Sequence, residues 1–83
     1  MMVVARVRLY ATLRRYAPHV EVGKAFELDL PLGSTIADLT RRLQIGPDEI
    51  KLTFVNSVQQ DADYIIVDGD EVGMFPAIAG GSK

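Results

Sequence analysis

From Val3 to Tyr10 the chain alternates, with Val3, Ala5, Val7 and Leu9 on one side and Val4, Arg6, Arg8 and Tyr10 on the other. A period of two with β-branched residues predicts a strand whose first set faces a core. The chain has 83 residues. At this length there is room for one domain, and folding removes only about 60% of the unfolded surface from water. Every apolar element must therefore share the core that this strand begins. Little room is left for a deep active-site cavity.

The rest of the chain supplies partners for that strand. Ala11 to Tyr16 can form a helical turn or two, stopped by Pro18. Phe26, Leu28 and Leu30 alternate with Glu27 and Asp29, which predicts a second strand over 25–30, ended by Pro31. The strongest helix signal follows. Thr35 and Asp38 match a capping box, and Ile36, Leu39 and Leu43 then recur at helical spacing. Arg41 and Arg42 sit where positive charge suits the end of a helix, and Gly46-Pro47 is a stop signal, so the spacing predicts a helix over 35–44. Pro47 to Ile50 suits a short helical turn. Leu52 to Asn56 reads as a strand turning at Asn56-Ser57 into Val58 and Gln59. Tyr64 to Val67 is apolar but too short to classify. Asp68-Gly69-Asp70 is a turn signal, and Glu71 to Phe75 reads as the last strand. A helix between strand pairs implies an α+β fold, a sheet with one covered face.

Several function classes drop out on composition. Nine Lys or Arg against eleven Asp or Glu give a net charge of −2. Nucleic-acid binders usually carry a clustered basic excess, and here the basic residues are scattered. No apolar run approaches the length of a membrane span, and nothing reads as a signal peptide, so a cytoplasmic protein is expected. With no cysteine, disulfides, thiolate catalysis and cysteine-ligated metals are excluded.

Conventional catalytic groups are equally thin. His19 is the only histidine, beside Pro18 where a loop is expected, and reads as a surface residue. Ser34 and Thr35 have no placed base to activate them, and helix capping explains both. Asp61 with Asp63, and Asp68 with Asp70 and Glu71, lack the regular ligand spacing of a calcium loop. They read as turn residues and a solvated edge, and no metal site is expected. No glycine-rich phosphate loop is present. The pairs Arg14/Arg15 and Arg41/Arg42 read as solvated helix faces rather than contacts. The chain is not expected to be catalytic alone.

After Pro76 the character changes. Residues 77–83, Ala77-Ile78-Ala79-Gly80-Gly81-Ser82-Lys83, have no periodicity, and adjacent glycines are costly to order. Such a tail is either a frayed end or a functional one. A backbone without Cβ atoms can enter a narrow site that side chains would block. Phe75 and Pro76, just before it, either pack on the core or form an exposed apolar patch for a partner. Met74 and Phe75 must point to opposite sides of a strand, so at least one is expected to be exposed.

Taken together, Val7-Arg8-Leu9-Tyr10-Ala11-Thr12-Leu13-Arg14, Leu30-Pro31 with Gly33-Ser34-Thr35-Ile36-Ala37-Asp38-Leu39, Phe54-Val55-Asn56, Asp68-Gly69-Asp70-Glu71-Val72, and Phe75-Pro76 with Ala79-Gly80-Gly81 resemble the small-subunit family of molybdopterin synthase. These are MoaD/ThiS-type ubiquitin-like sulfur carriers. The Asp-Gly-Asp-Glu-Val run is shared with thiamine-pathway carriers, whereas Phe-Pro with Gly-Gly favours the molybdopterin branch.

The resemblance implies a β-grasp fold, with a mixed sheet of four or five strands on one main helix over 1–76 and a flexible tail over 77–83. It also implies a chemistry. An E1-like partner adenylates the terminal glycine with ATP, and sulfur replaces AMP to give a thiocarboxylate. The tail then enters the large synthase subunit and donates sulfur to a pterin precursor in molybdenum cofactor biosynthesis. The chain itself would bind no cofactor. Gly81 would be the acceptor, preceded by Gly80, with Phe75, Pro76 and Ala79 contacting the partner. The family ends at the second glycine, whereas here Ser82-Lys83 follow. Either those two residues come from cloning, or a processing protease removes them, or the chain is a homologue that has lost the activity. The alternatives are a carrier of the same fold for thiamine or cysteine synthesis, and a non-catalytic ubiquitin-like interaction domain.

Overall fold

The computed structural model describes residues 1–21 and 23–77. Five strands form one mixed sheet: β1 (Met2–Leu9), β2 (Phe26–Pro31), β3 (Ile50–Val55), β4 (Val58–Gln59) and β5 (Glu71–Pro76), in the order β2-β1-β5-β3-β4. The helix α1 (Ile36–Arg42) supplies the covering layer. β1 and β5, the first and last strands, run parallel at the centre, and their outer neighbours are antiparallel to them. This is the ubiquitin-like β-grasp arrangement expected.

The alternation in β1 decides which way the sheet faces. Val3, Ala5, Val7 and Leu9 are all buried, as their period of two requires. Register carries that face across the sheet, because Val7 pairs with Val72 and Leu9 with Met74, and Val55 and Thr53 pair with the same two residues from the other side. Ile36 and Leu39 of α1 close the core with Leu13, Ile45 and Ile66.

The helix is shorter than its sequence signals. Thr35 and Asp38 do form the capping box, each side chain meeting the other residue's backbone N–H, at 3.2 and 2.9 Å. The helix then ends at Arg42, with Leu43 as its C-cap. Gln44 takes a left-handed φ of 63°, and the Ile45 N–H reaches back to the Thr40 carbonyl at 3.0 Å. This is a Schellman-type ending with glutamine where glycine is usual. The left-handed penalty is roughly 1–2 kcal/mol, comparable with what is gained by driving Ile45 into the core. Gly46-Pro47 therefore marks the start of the next segment rather than the end of the helix.

Short 3₁₀ helices occupy Ala11–Tyr16 and Pro47–Glu49, where the sequence suggested helical turns. At Asn56-Ser57 both φ angles are positive, 51° and 71°, the requirement of a two-residue hairpin loop that matches strand twist. The segment that resisted classification stitches the molecule together. Ile36 and Ala37 at the helix start donate to the carbonyls of Tyr64 and Ala62, and Ile66 donates to Ser34. Two of the helix's orphan N–H groups are thereby satisfied. Among the described residues no helix is long and apolar enough to cross a membrane.

Candidate functional site

The root of the tail is built by β5. Its inward residues, Val72 and Met74, are buried, while Phe75 turns outward and is 36% exposed, as the opposed directions of neighbouring strand residues require. On the open face Phe75 lies flat against Tyr10, with ring centroids 4.3 Å apart and planes within 1°. Phe54 meets Phe75 edge-on at 5.7 Å. Such aromatic contacts contribute about 0.5–1.5 kcal/mol beyond the area they bury. Gly73 makes room for this shelf. A Cβ at that position would lie 3.3 Å from the Tyr10 ring.

Beside the aromatic shelf the sheet face opens into a groove of about 340 Å³, lined also by Arg6, Arg8, Asn56 and Glu71. Arg6 is tied to Glu27 across the strand pair at 3.3 Å. The face therefore combines an apolar shelf with a charged border, the pattern of apolar centre and polar rim found in protein interfaces. Among the described residues no group of three or more His, Cys, Asp or Glu could hold a metal ion.

Below the shelf a polar cluster fixes the start of β5. Asp70 is only 6% exposed and accepts hydrogen bonds from Asn56 Nδ2, the Tyr64 hydroxyl and the Val67 amide, at 2.8, 2.9 and 2.8 Å. This corrects the reading of Asp70 as part of a solvated edge. Buried carboxylates persist where donors converge on them. The Tyr64 hydroxyl is held above its ordinary value, first by its hydrogen bond to Asp70, then by burial and by that residue's charge. Asp68 serves the fold too, accepting the Val4 amide at 2.7 Å.

Other candidates resolve into structural duties. His19 is exposed. Ser34 donates to the Pro31 carbonyl at 2.6 Å, so it closes the turn before α1, and the cap belongs to Thr35 alone. Arg42 donates to the Asp29 carbonyl at 3.2 Å, and Arg41 pairs with Asp38. Arg15 pairs with Glu49 and with the Tyr16 hydroxyl. Its guanidinium is held above its ordinary range, first by that hydroxyl and then by the Glu49 charge. These arginines are exposed, as read from the sequence, but they are contacts as well.

Pro76 ends β5 opposite Ile50, and Ala77 donates to the Glu49 carbonyl at 2.9 Å. Ala79, Gly80 and Gly81, like the rest of 78–83, lie outside the described residues. The structure thus brings Phe75 and Pro76 together at the tail's root. Reading the sequence missed Tyr10, Phe54 and Arg8 as partners on that face. The outer set of the β1 alternation already contained Tyr10 and Arg8.

The model of the ThiS family matches residues 7–81. No curated protein matches the sequence significantly. Among solved structures, a candidate molybdopterin converting factor, subunit 1, from Pyrococcus furiosus superposes with a TM-score of 0.71 at 24% identity, covering 92% of this chain and 99% of that one. Small archaeal modifier protein 1 of Haloferax volcanii gives 0.71 at 19% identity, covering 92% and 99%. Urm1 from Trypanosoma brucei gives 0.66 at 17% identity, covering 96% and 97%. At these identities the likeness is one of fold.

Proposed function

The chain belongs to the ThiS family, and from that premise we propose that it is a sulfur carrier, the small subunit of a molybdopterin synthase. The observation that carries this reading is the family match itself, which runs through Gly80 and closes on Gly81. In this reading Gly81 becomes the terminus once Ser82 and Lys83 are removed by a protease. Its carboxylate oxygen attacks the α-phosphorus of ATP in an E1-like partner, releasing pyrophosphate. The acyl adenylate is needed because a free carboxylate is a poor electrophile. Hydrosulfide supplied to the partner then attacks the acyl carbon, forming the C–S bond as the bond to AMP breaks, and leaves a thiocarboxylate. Without a cysteine in the chain, the terminal carbonyl is the place to carry that sulfur.

The division of the molecule supports the same reading. Exposed Phe75 and half-buried Tyr10 and Phe54 form a shelf beside the tail's root, suited to docking the large subunit, with Pro76 and Ala79 completing the contact. Covalent geometry lets residues 78–81 span at most about 14 Å from Ala77. That is enough to reach into a partner's active site while the domain rests on its surface. Gly80 and Gly81 present only backbone to that passage.

The test is the intact mass of the untagged protein from cells actively making the cofactor. Loss of Ser82-Lys83 together with replacement of one oxygen by sulfur is expected. A full-length, unmodified mass in those cells would overturn the carrier reading and favour a plain interaction domain. The fold likeness to a modifier protein and to Urm1 supports a second reading, a carrier whose acceptor lies in another pathway such as thiamine or cysteine synthesis. A thiocarboxylate that forms while deletion of the chain leaves molybdenum cofactor intact would select it.

A further inference from the structure

Two 3₁₀ segments far apart in sequence, Ala11–Tyr16 and Pro47–Glu49, meet where the chain leaves the sheet. Glu49 is the hub of that meeting. Its backbone carbonyl accepts the Ala77 amide at 2.9 Å. Its carboxylate accepts from Arg15 Nη2 and from the Tyr16 hydroxyl. Arg15 also donates to that hydroxyl at 3.3 Å, and its guanidinium carbon lies 5.0 Å from the Tyr16 ring centroid. Alone, an exposed ion pair adds little, but here a charge and a hydroxyl close on one carboxylate while the guanidinium lies over the tyrosine ring.

The sheet gives this end of β5 weak support of its own. Pro76 has no N–H to donate, and the ladder shifts register between Ile50 and Leu52. Ala77 supplies the first donor after Phe75, and it goes to Glu49. Residues 10–16 touch the root from both sides, since Tyr10 stacks on Phe75 while Arg15 and Tyr16 hold Glu49.

We propose that Glu49, clamped by Arg15 and Tyr16, is a positioning residue that holds the backbone at Ala77, where the chain leaves β5, for the partner that works on Gly81. Its consequence for catalysis rests on the carrier reading, whereas the hold on Ala77 does not. A chain held at Ala77 arrives at a partner's active site with the ordering of that residue already done. Freeing Ala77 adds backbone freedom that docking must remove, a loss of roughly tenfold in capture.

The first measurement uses the full 83-residue chain and reads amide hydrogen exchange. Glu49→Ala and Arg15→Ala are each expected to speed exchange at Ala77 by about tenfold, with Val7 and Met74 amides unchanged and Arg15→Lys restoring most of the protection. Arg15 does not itself touch Ala77, so its effect reports the clamp; it also decides the matter if Glu49→Ala fails to fold. In the chain ending at Gly81, Glu49→Ala is expected to raise KM for the adenylating enzyme about tenfold with kcat within about twofold. Unchanged Ala77 exchange in both variants overturns the proposal, as does uniform loosening of all amides. If the unsubstituted chain ending at Gly81 is not adenylated at all, the carrier reading fails, while Ala77 exchange still decides the clamp.

Discussion

The two faces of β5 are made from neighbouring residues and do different work. Val72 and Met74 lie at 1% and 0% exposure beneath α1, whereas Phe75 stands 36% exposed on a sheet face with no covering layer among the described residues. The covered face is aliphatic and continuous with β1 and β3 through direct register partners. On the open face the aromatics stack on one another beside Arg6 and Arg8. Burial of the first face stabilises the domain. The second keeps apolar area in water, a cost that a partner surface would recover. On the proposed function, stability and recognition are separated by the thickness of one sheet.

That separation can be tested, beginning with the covered face. Leu39→Ala is expected to destabilise the domain by about 3 kcal/mol in urea unfolding, through lost burial and the cavity left behind. Below its midpoint it should still bind the partner, and lost binding by the folded variant would break the comparison. Asp70→Ala should cost about 2 kcal/mol, because Tyr64, Asn56 and the Val67 amide lose a shared buried acceptor. Phe75→Ala belongs to the open face and should cost about 1 kcal/mol in stability, the value of its aromatic contacts. Its affinity for the large subunit should fall by tenfold or more, as buried aromatic anchors do. Equal loss of stability and binding would show that the shelf is merely structural.

The smallest effect lies at the helix start. Thr35→Ala should cost about 1 kcal/mol as a lost N-cap. Asp38 is held below its ordinary value of 3.8, first by the Thr35 backbone N–H, then by the Thr35 side chain, and more weakly by Arg41. A lowered folded value means the unfolded chain binds more protons. The contribution is therefore present above pH 3.8 and fades as pH falls through the folded value. Acid titration of stability should show this fall in the native chain and lack it in Asp38→Asn.

Much of the fold was legible because it rests on local rules. The β1 period, the Thr35–Asp38 capping box and the opposed directions of Met74 and Phe75 each follow from neighbours a few residues apart. The helix end was misplaced because Gln44 pays a local penalty for a distant benefit, the burial of Ile45. Asp70 was misread because a turn-forming aspartate looks the same whether its carboxylate meets water or three donors. The Glu49 clamp joins residues 33 or 34 positions apart, beyond any spacing rule. Of the candidate site, the outward direction of Phe75 was legible from its alternation with buried Met74, while Gly80 and Gly81 were drawn from motif and family likeness rather than from packing.

By itself the sequence determined which residues alternate, where the main helix starts, and that the chain carries a glycine pair and no cysteine. The tertiary structure alone decided that the first and last strands lie side by side, which sets Tyr10 on Phe75, and that two 3₁₀ turns close on Glu49 beside Ala77. The physical reason is range. Backbone propensity and side-chain period act within a few residues, whereas stacking and buried hydrogen bonds require groups that only the closed sheet brings together.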